Sequence, residues 1–157
     1  MNHLPFNWEG PVPLATELRK PLERLFLQIE HPAWGGPTSV TFVRSDGSFL
    51  TVPSEMHDVA PRIEIGVLSF IQGQAPPNGA KVIDFGPAFR GDINVSKLVI
   101  EESGTTAESG VILQGGSEEL TVVAGAFPYT LAVGGVVTSL RFEPEYPLDR
   151  YVRAHLP

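Results

Sequence analysis

Short β-like segments separated by turn signals recur along this chain, and they constrain its fold more than any other feature of the sequence. Residues 39–44 and 48–52 are rich in Val, Thr and Phe, and they flank Asp46-Gly47. Asp-Gly is typical of tight hairpin turns, which need positive φ angles. Further strand candidates follow at a spacing of about 8–12 residues, which is typical of an antiparallel sandwich or barrel. They are residues 24–30, 63–72, 95–101, 110–114, 120–124, 129–133 and 136–142.

The order of these segments indicates an internal repeat. Residues 24–52 and residues 97–122 each run as strand, strand, glycine-containing turn and strand. We therefore predict a mainly β fold, an antiparallel sandwich or barrel of two β-meander-like units. Two short helices complete the prediction: one near the N-terminus, capped by Thr16, and one at the C-terminus over residues 148–156.

The length of 157 residues fits a single domain covering residues 1–157. The chain holds 16 glycines and 15 prolines, a content that indicates a folded chain with many loops. Residues 1–13 are rich in proline and are expected to form an extended N-terminal arm. Residues 73–94 are expected to form a long irregular loop, and loops of that length tend to be functional or mobile.

The composition excludes several classes of function. The net charge of −7 argues against nucleic acid as a partner, because phosphate binding depends on clustered Lys and Arg. The absence of cysteine excludes zinc fingers and thiol catalysis. No apolar run is long enough for a signal peptide or a membrane span, so we expect a cytoplasmic protein with no membrane partner. We expect no cofactor, and the four histidines lie too far apart in sequence for a local metal site.

The strongest local candidate for catalysis is residues 54–58, which we expect to form a loop. His57 and Asp58 supply an imidazole and a carboxylate, the pair that a general base requires. Ser, His and Asp are also ordinary residues of turns, and this structural interpretation is the stronger one. We therefore predict that the protein is not an enzyme, with catalysis by His57 and Asp58 as a less favoured alternative.

The acidic charge is concentrated in one interval. Residues 98–140 contain no Lys or Arg. The interval includes the glutamates Glu101, Glu102, Glu108, Glu118 and Glu119. These carboxylates favour either solubility or a surface that attracts a basic partner. Trp34 is the first candidate for an aromatic anchor at such a surface, and Phe85 and Phe89 are further candidates.

Two segments near the C-terminus carry a family resemblance. They read VVAGAFPYTLAV at residues 122–133 and FEPEYPLDRY at residues 142–151. Both resemble segments of small bacterial proteins, some of which look like immunity proteins encoded beside polymorphic or contact-dependent toxins. The resemblance implies a cytoplasmic domain that blocks a toxin, often a cationic nuclease, by occluding its active site. It implies no particular binding residues.

These observations predict a non-enzymatic protein-binding domain, an immunity protein whose partner is a cationic protein toxin. The partner-binding residues would be Trp34 and the five glutamates of residues 98–140. A β-barrel that binds a small ligand is the main alternative, with residues 73–94 covering its mouth.

Overall fold

The computed structural model describes residues 2–31 and 35–157, and in this part of the chain the strands form two sheets. The strands of the first sheet are β2 (Leu22–Gln28), β3 (Ser39–Arg44), β4 (Phe49–Ala60), β5 (Ile63–Leu68), β6 (Ile71–Gln72) and β7 (Lys81–Asp84). Those of the second sheet are β1 (Asn2–Leu4), β8 (Ile93–Glu102), β9 (Thr105–Gly115), β10 (Glu118–Ala124), β11 (Leu131–Gly135) and β12 (Val152–His155). One helix, α1 (Leu14–Leu18), precedes β2.

The two sheets have the same topology. The first has the order β5-β4-β3-β2-β7, with β6 also paired to β4, and the second has the order β11-β10-β9-β8-β12. In each sheet four consecutive strands form an antiparallel meander. The first strand of each meander, β2 or β8, also pairs on its outer side with a later strand, β7 or β12. The predicted mainly β fold of two meander-like units is therefore confirmed. The barrel alternative is wrong, because each sheet has two edge strands that pair on one side only, and neither sheet closes. The arm adds β1 to β9 as a parallel pair.

Apolar side chains from both sheets form the core. Val111 and Leu113 of β9 belong to the larger cluster, while Ile112 between them belongs to a second cluster. Because neighbouring strand residues point to opposite faces, the second sheet is covered on both faces. Ile65 and Val67 of β5 cover part of its other face. The interior of the sandwich is filled with side chains.

Both predicted helices need correction. The N-terminal helix begins at Leu14, so Thr16 lies inside it rather than at its cap, and Pro13 occupies the cap position without a side-chain hydrogen bond. Pro13 has φ of −56° and an extended ψ of 142°, the non-helical conformation that is usual for the residue before a helix. The C-terminal helix is limited to a 3₁₀ turn at Leu148–Arg150, and β12 follows it. Residues 152–155 become a strand because the outer edge of β8 offers backbone partners.

Four strand or loop boundaries also differ from the prediction. The predicted strand at residues 63–72 is interrupted where Asn7 inserts: Asn7 N donates to Leu68 O at 3.1 Å, and Phe70 N donates to Asn7 O at 2.9 Å. The predicted loop at residues 54–58 is part of β4. The predicted irregular loop at residues 73–94 contains β7 and the start of β8. The predicted strand at residues 136–142 does not form, since Gly135, with φ of +84°, turns the chain away from the sheet.

Candidate functional site

The five predicted glutamates do not form one surface. Glu102 lies opposite Thr105 at one end of β9, and Glu118 lies opposite Gly115 at its other end. A strand rises about 3.3 Å per residue, so these two carboxylates are separated by about 30 Å. Glu101 shares the end of Glu102, and Glu119 shares the end of Glu118.

Arginines of the C-terminal segment neutralise part of this charge. Arg150 donates to Oε2 of Glu102 at 3.3 Å, and Arg153 donates to Oε1 of Glu119 at 3.2 Å. The sequence does not reveal these pairs, because the arginines are far from the glutamates along the chain. Residues 150 and 153 reach the second sheet only through the turn before β12. The interval without Lys or Arg is therefore partly neutralised in the folded protein.

Glu108 is an internal residue, only 6% exposed. Its Oε1 accepts a hydrogen bond from Phe6 N at 2.8 Å, and its Oε2 pairs with Lys97 Nζ at 2.5 Å. Burial corrects its predicted place on a partner surface: Glu108 attaches the N-terminal arm to the second sheet.

The aromatic anchors named from the sequence do not form a described surface either. Phe85 and Phe89 are buried and pack against each other, with ring centroids 5.0 Å apart. Trp34 lies outside the described residues.

His57 and Asp58 do not form a catalytic pair. They are neighbours in β4, so their side chains point to opposite sides of the strand. His57 Nε2 lies 3.7 Å from Oε2 of Glu55, and Asp58 faces Glu64 of β5 in the strand register. No group of three or more potential metal ligands converges in the described parts of the chain.

The hairpin turn between β10 and β11 exposes two aromatic side chains. We call Phe127, Pro128 and Tyr129 the aromatic turn. Thr130 closes it by donating from its backbone N and its Oγ1 to Phe127 O, at 3.2 Å and 2.7 Å. Phe127 is 46% exposed and Tyr129 is 60% exposed. An aromatic residue usually gains stability by burial, and neither of these side chains does so fully.

Tyr129 also holds an unfavourable backbone conformation. Its φ angle is +62°, in the left-handed region that costs most residues about 1–2 kcal/mol. A turn with Pro at its second position and positive φ at its third usually has Gly or Asn there. Strain of this kind clusters at functional sites. Packing within the chain therefore does not explain why a tyrosine occupies this position.

A segment distant in sequence supports the aromatic turn. Ala126 N donates to Glu143 O at 2.9 Å, and Glu145 N donates to Ala124 O at 2.9 Å. Residues 122–133 and 142–151, the two segments singled out in the sequence, are therefore hydrogen-bonded neighbours. The connection before β3 adds a third support, because Leu131 N donates to Pro37 O at 2.8 Å.

Glu145 of this supporting segment lies near Glu64 of β5, which is opposite Asp58 of β4, and we call these three carboxylates the acidic rim. Asp58 and Glu64 are directly opposite each other on β4 and β5, an arrangement that is destabilising for like charges. Gly66 N donates to Oε1 of Glu145 at 3.0 Å. None of the three has a basic partner within 4.0 Å among residues 2–31 and 35–157.

The environment of Glu145 changes its acidity. Burial raises its pKa to about 7, the charge of Glu64 adds to the increase, and the hydrogen bond from Gly66 opposes it. Burial also raises the pKa of Tyr146 and of Tyr151, so both hydroxyls are neutral. Glu145 is thus a carboxyl group that gains or loses its proton near neutral pH.

Sequence reasoning missed this site for two reasons. Residues 58, 64 and 145 come together only through the fold, and no spacing in the sequence connects them. The aromatic turn overlaps the predicted strand at residues 129–133, which in the structure begins only at Leu131, and the exposure and the φ angle of Tyr129 are properties of the folded chain.

Open clefts lie on the surface of the described part of the chain. One, of ≈ 530 Å³, lies between residues 83–85, at the end of β7, and Glu118, Gly135 and Val136. A cleft of ≈ 350 Å³ contains Glu119, and one of ≈ 370 Å³ lies between the arm and β6. The described part of the chain contains no helix of the length and apolarity needed to span a membrane.

Comparison with known proteins adds no assignment. No family model, no curated protein and no solved structure matches this chain.

Proposed function

We propose that this protein is a non-enzymatic protein-binding domain, an immunity protein that neutralises a basic bacterial toxin by occluding it. The observation that carries the proposal is the aromatic turn, where Phe127 and Tyr129 are exposed and Tyr129 has a φ angle of +62°. A glycine at position 129 would adopt this φ angle at a lower cost in folding free energy. The tyrosine side chain is therefore best explained by a contact outside the chain.

Aromatic side chains suit this role. Tyr and Trp are enriched among the few interface residues that supply most of the binding energy, and a rigid ring gives a large contact area at low entropic cost. The turn projects from the end of a hairpin whose neighbours at Pro37 and Glu143 hold it by backbone hydrogen bonds. Such a prominent, supported turn fits the concave active site of a toxin.

The charge of the protein favours a cationic partner. The net charge is −7, which accelerates association with a basic protein. One member of the acidic rim, Glu145, lies next to the strand end that leads into the aromatic turn, because its backbone N donates to Ala124 O. None of the three carboxylates has a basic partner in the described parts of the chain. We therefore propose that the aromatic turn supplies affinity and that the acidic rim selects a positively charged surface.

Binding to the product of the gene adjacent to that of this protein tests the proposal, which requires that product to be a basic toxin. We expect tight binding that weakens at high salt, because salt screens steering between charged surfaces. Removing Phe127 (Phe127→Ala) or Tyr129 (Tyr129→Gly) is expected to weaken binding at least tenfold each, as for hot-spot side chains worth about 2 kcal/mol or more. Isothermal titration calorimetry at two salt concentrations measures both effects.

Val152 provides the matched control, since it is 65% exposed on β12 and belongs to neither feature. The Val152→Ala variant is expected to bind as the unmodified protein does. Equal binding by Tyr129→Gly, Phe127→Ala and Val152→Ala would contradict the proposal, as would the absence of any binding to the toxin.

A second function is supported by the cleft of ≈ 530 Å³. Five of its lining residues, among them Phe85 and Pro87, come from residues 73–94, which sequence analysis assigned to the cover of a ligand site. The cleft has apolar walls and two carboxylates, Asp84 and Glu118, and a small organic amine fits this chemistry. Chemical-shift mapping with butylamine tests this alternative; it fails if Val136 and Phe85 show no response, or if Ala88→Trp, which fills the cleft, leaves the response unchanged.

A further inference from the structure

The outer edge of β6 offers backbone groups that nothing in the described chain uses. Ser69 N and Gly73 N donate to carbonyl oxygens of β4 at 3.0 Å and 3.1 Å, so every second residue between them turns its backbone towards β4. In an antiparallel pair the intervening residues point the opposite way. The N–H and C=O groups of Phe70 and Gln72 therefore point away from β4, towards the N-terminal arm.

The arm occupies one position of this edge and then stops. Asn7 lies opposite Ser69 in parallel register. Its N donates to Leu68 O at 3.1 Å, and its O accepts from Phe70 N at 2.9 Å. The next position of the same ladder needs a residue whose N–H donates to Phe70 O and whose C=O accepts from Gln72 N. Neither of these two atoms has a hydrogen-bond partner in the described parts of the chain.

The arm leaves that position empty because it folds back on itself. Trp8 Nε1 donates to Val12 O at 2.9 Å, and Gly10 packs so closely against the Trp8 ring that a Cβ on it would clash. Glu9, which would continue the ladder two residues after Asn7, is exposed instead. A cleft of ≈ 370 Å³ remains between residues 7–11 and residues 69–72.

The fold protects the neighbouring edge of β5 but not this one. Gly66 N donates to Glu145, and Gly66 O accepts from Ser109 Oγ, which blocks pairing with another strand. Within the described ranges no side chain makes such bonds to Phe70 O or Gln72 N. An unprotected sheet edge beside a cleft is the arrangement that binds an extended peptide by strand addition.

A buried hydroxyl group lines the same cleft. Ser69 is 3% exposed, and no hydrogen bond to its Oγ is found among the described residues. Buried polar groups usually have a partner. Ile71, two residues further on and on the same face, is 42% exposed. The cleft thus combines backbone donors and acceptors, a hydroxyl group and an apolar side chain, which together suit a peptide.

We propose that one residue of an extended, basic segment of a partner protein takes the ladder position after Asn7, donating to Phe70 O and accepting from Gln72 N. The register places its side chain beside Ile71, because Asn7 is opposite Ser69. A β-branched apolar residue such as Val suits that place. Pro is excluded there because it has no N–H.

The charge of the cleft selects the residues that flank this position. Glu9 and Glu55 line the cleft, and its lining residues include no Lys or Arg. Lys or Arg beside the apolar residue of the partner is therefore favoured. The inference goes beyond the proposed function, since it concerns a surface other than the aromatic turn and does not require the partner to be a toxin.

The test uses the capped tripeptide acetyl-Lys-Val-Lys-amide and the complete protein labelled with ¹⁵N and ¹³C. In the free protein, the Gln72 N–H is expected to exchange rapidly with solvent deuterium, because it has no acceptor. At a peptide concentration about ten times the Kd, its exchange is expected to slow about tenfold, because only the free protein exchanges. The methyl resonances of Ile71 are expected to shift in the same titration.

Matched controls test each backbone hydrogen bond. The tripeptide with N-methylvaline lacks the N–H for Phe70 O and is expected to bind about tenfold more weakly. In the protein, Gln72→Pro removes the N–H and Gln72→Ala keeps it, so the first variant is expected to bind about tenfold more weakly than the second. Proline is tolerated on an edge strand where its nitrogen faces outward. The shift of Ile71 measures each affinity, and a circular dichroism spectrum shows that each variant is folded.

The proposal is overturned if the tripeptide leaves the exchange of Gln72 unchanged, or if neither N-methylation nor Gln72→Pro weakens binding. Slow exchange of Gln72 in the free protein would also overturn it, because the arm or a second copy would then already fill the position. Failure here is distinguishable from failure of the proposed function. Toxin binding with unchanged Gln72 exchange rejects this site alone, and protection of Gln72 by the tripeptide without toxin binding rejects the immunity role alone.

Discussion

Gly66 and Glu145 are 79 positions apart in the chain, and a hydrogen bond of 3.0 Å joins the Gly66 backbone N–H to the Glu145 side chain. The Gly66 carbonyl accepts a second hydrogen bond, from Oγ of Ser109 at 2.6 Å. Both backbone polar groups of a residue in the edge strand β5 are thus satisfied by side chains. This protects the edge against pairing with another chain, and it connects the first sheet to the segment that supports the aromatic turn.

Replacing Glu145 by Gln is expected to change how stability depends on pH. The pKa of Glu145 is raised in the folded state from 4.5 to about 7, so the unfolded chain loses this proton first as the pH rises. The stability contribution is therefore complete below about pH 4.5, and it declines until about pH 7. The full loss is about 3 kcal/mol, at about 1.4 kcal/mol for each pH unit. Glu145→Gln removes this loss.

Urea unfolding at a series of pH values measures the effect. The difference in unfolding free energy between Glu145→Gln and the unmodified protein is expected to grow in favour of the variant as the pH rises towards 7. A constant difference across the series would show that Glu145 is not protonated in the folded protein at neutral pH.

Replacing Tyr129 by Gly is expected to stabilise the fold. The change relieves a left-handed conformation that costs about 1–2 kcal/mol, and it adds about 0.5–1 kcal/mol of unfolded-state entropy. The net gain is roughly 0.5–1 kcal/mol, which thermal unfolding detects as a higher Tm. The same change at exposed Val152, which lies in a strand, is expected to lower the Tm. A lower Tm for Tyr129→Gly would mean that the tyrosine serves the fold.

Removing either member of the buried pair Glu17 and Arg44 is expected to destabilise the protein strongly. Arg44 Nη1 donates to Oε2 of Glu17, and Arg44 Nε donates to Ser48 Oγ at 2.7 Å. A buried charge left without its partner costs about 3–5 kcal/mol, so Glu17→Ala, which leaves Arg44 without a carboxylate, should lose that much in urea unfolding. Arg44→Ala should lose less, because Lys20 Nζ remains 3.0 Å from Oε2 of Glu17. The double variant Glu17→Leu with Arg44→Met should lose clearly less than the two single losses combined. Additive losses would show that the two side chains do not interact.

Replacing Glu108 by Ala is expected to release the N-terminal arm. The change leaves Phe6 N without its acceptor and leaves Lys97 without its buried partner, at a cost of about 2–3 kcal/mol. Limited proteolysis should then cleave the chain within residues 2–8 faster than in the unmodified protein. Glu101→Ala serves as the control, because Glu101 is exposed. Equal cleavage of the two variants would contradict the assigned role of Glu108.

Local sequence patterns predicted much of the fold. The hairpin around Asp46-Gly47 forms with φ of +84° at Gly47, and β3 spans the predicted residues 39–44. The alternation of apolar and polar residues along a strand and the glycines of a turn are both short-range properties. Each can therefore be recognised within a single segment of the sequence. Predictions failed where a distant partner decided the outcome. Residues 152–155 could continue a helix by local preference, but they pair with β8 instead.

The candidate site was less predictable than the fold. Residues 98–140 do contain five glutamates, but they do not form the predicted surface. Glu108 is buried, two of the others lie at one end of the second sheet and two at its other end. The acidic rim draws on residues 58, 64 and 145, which no window of sequence contains together. Exposure of an aromatic side chain depends on what packs over it, and that is known only from the whole fold.

The amino-acid sequence by itself determined the class of fold, the repeated meander and the acidic charge, because each depends on composition or on neighbouring residues. The tertiary structure alone decided which carboxylates face solvent, which are neutralised by Arg150 and Arg153, and that Glu145 accepts a hydrogen bond from Gly66. The reason is physical: charge and burial depend on distances through space, and folding sets those distances independently of separation along the chain.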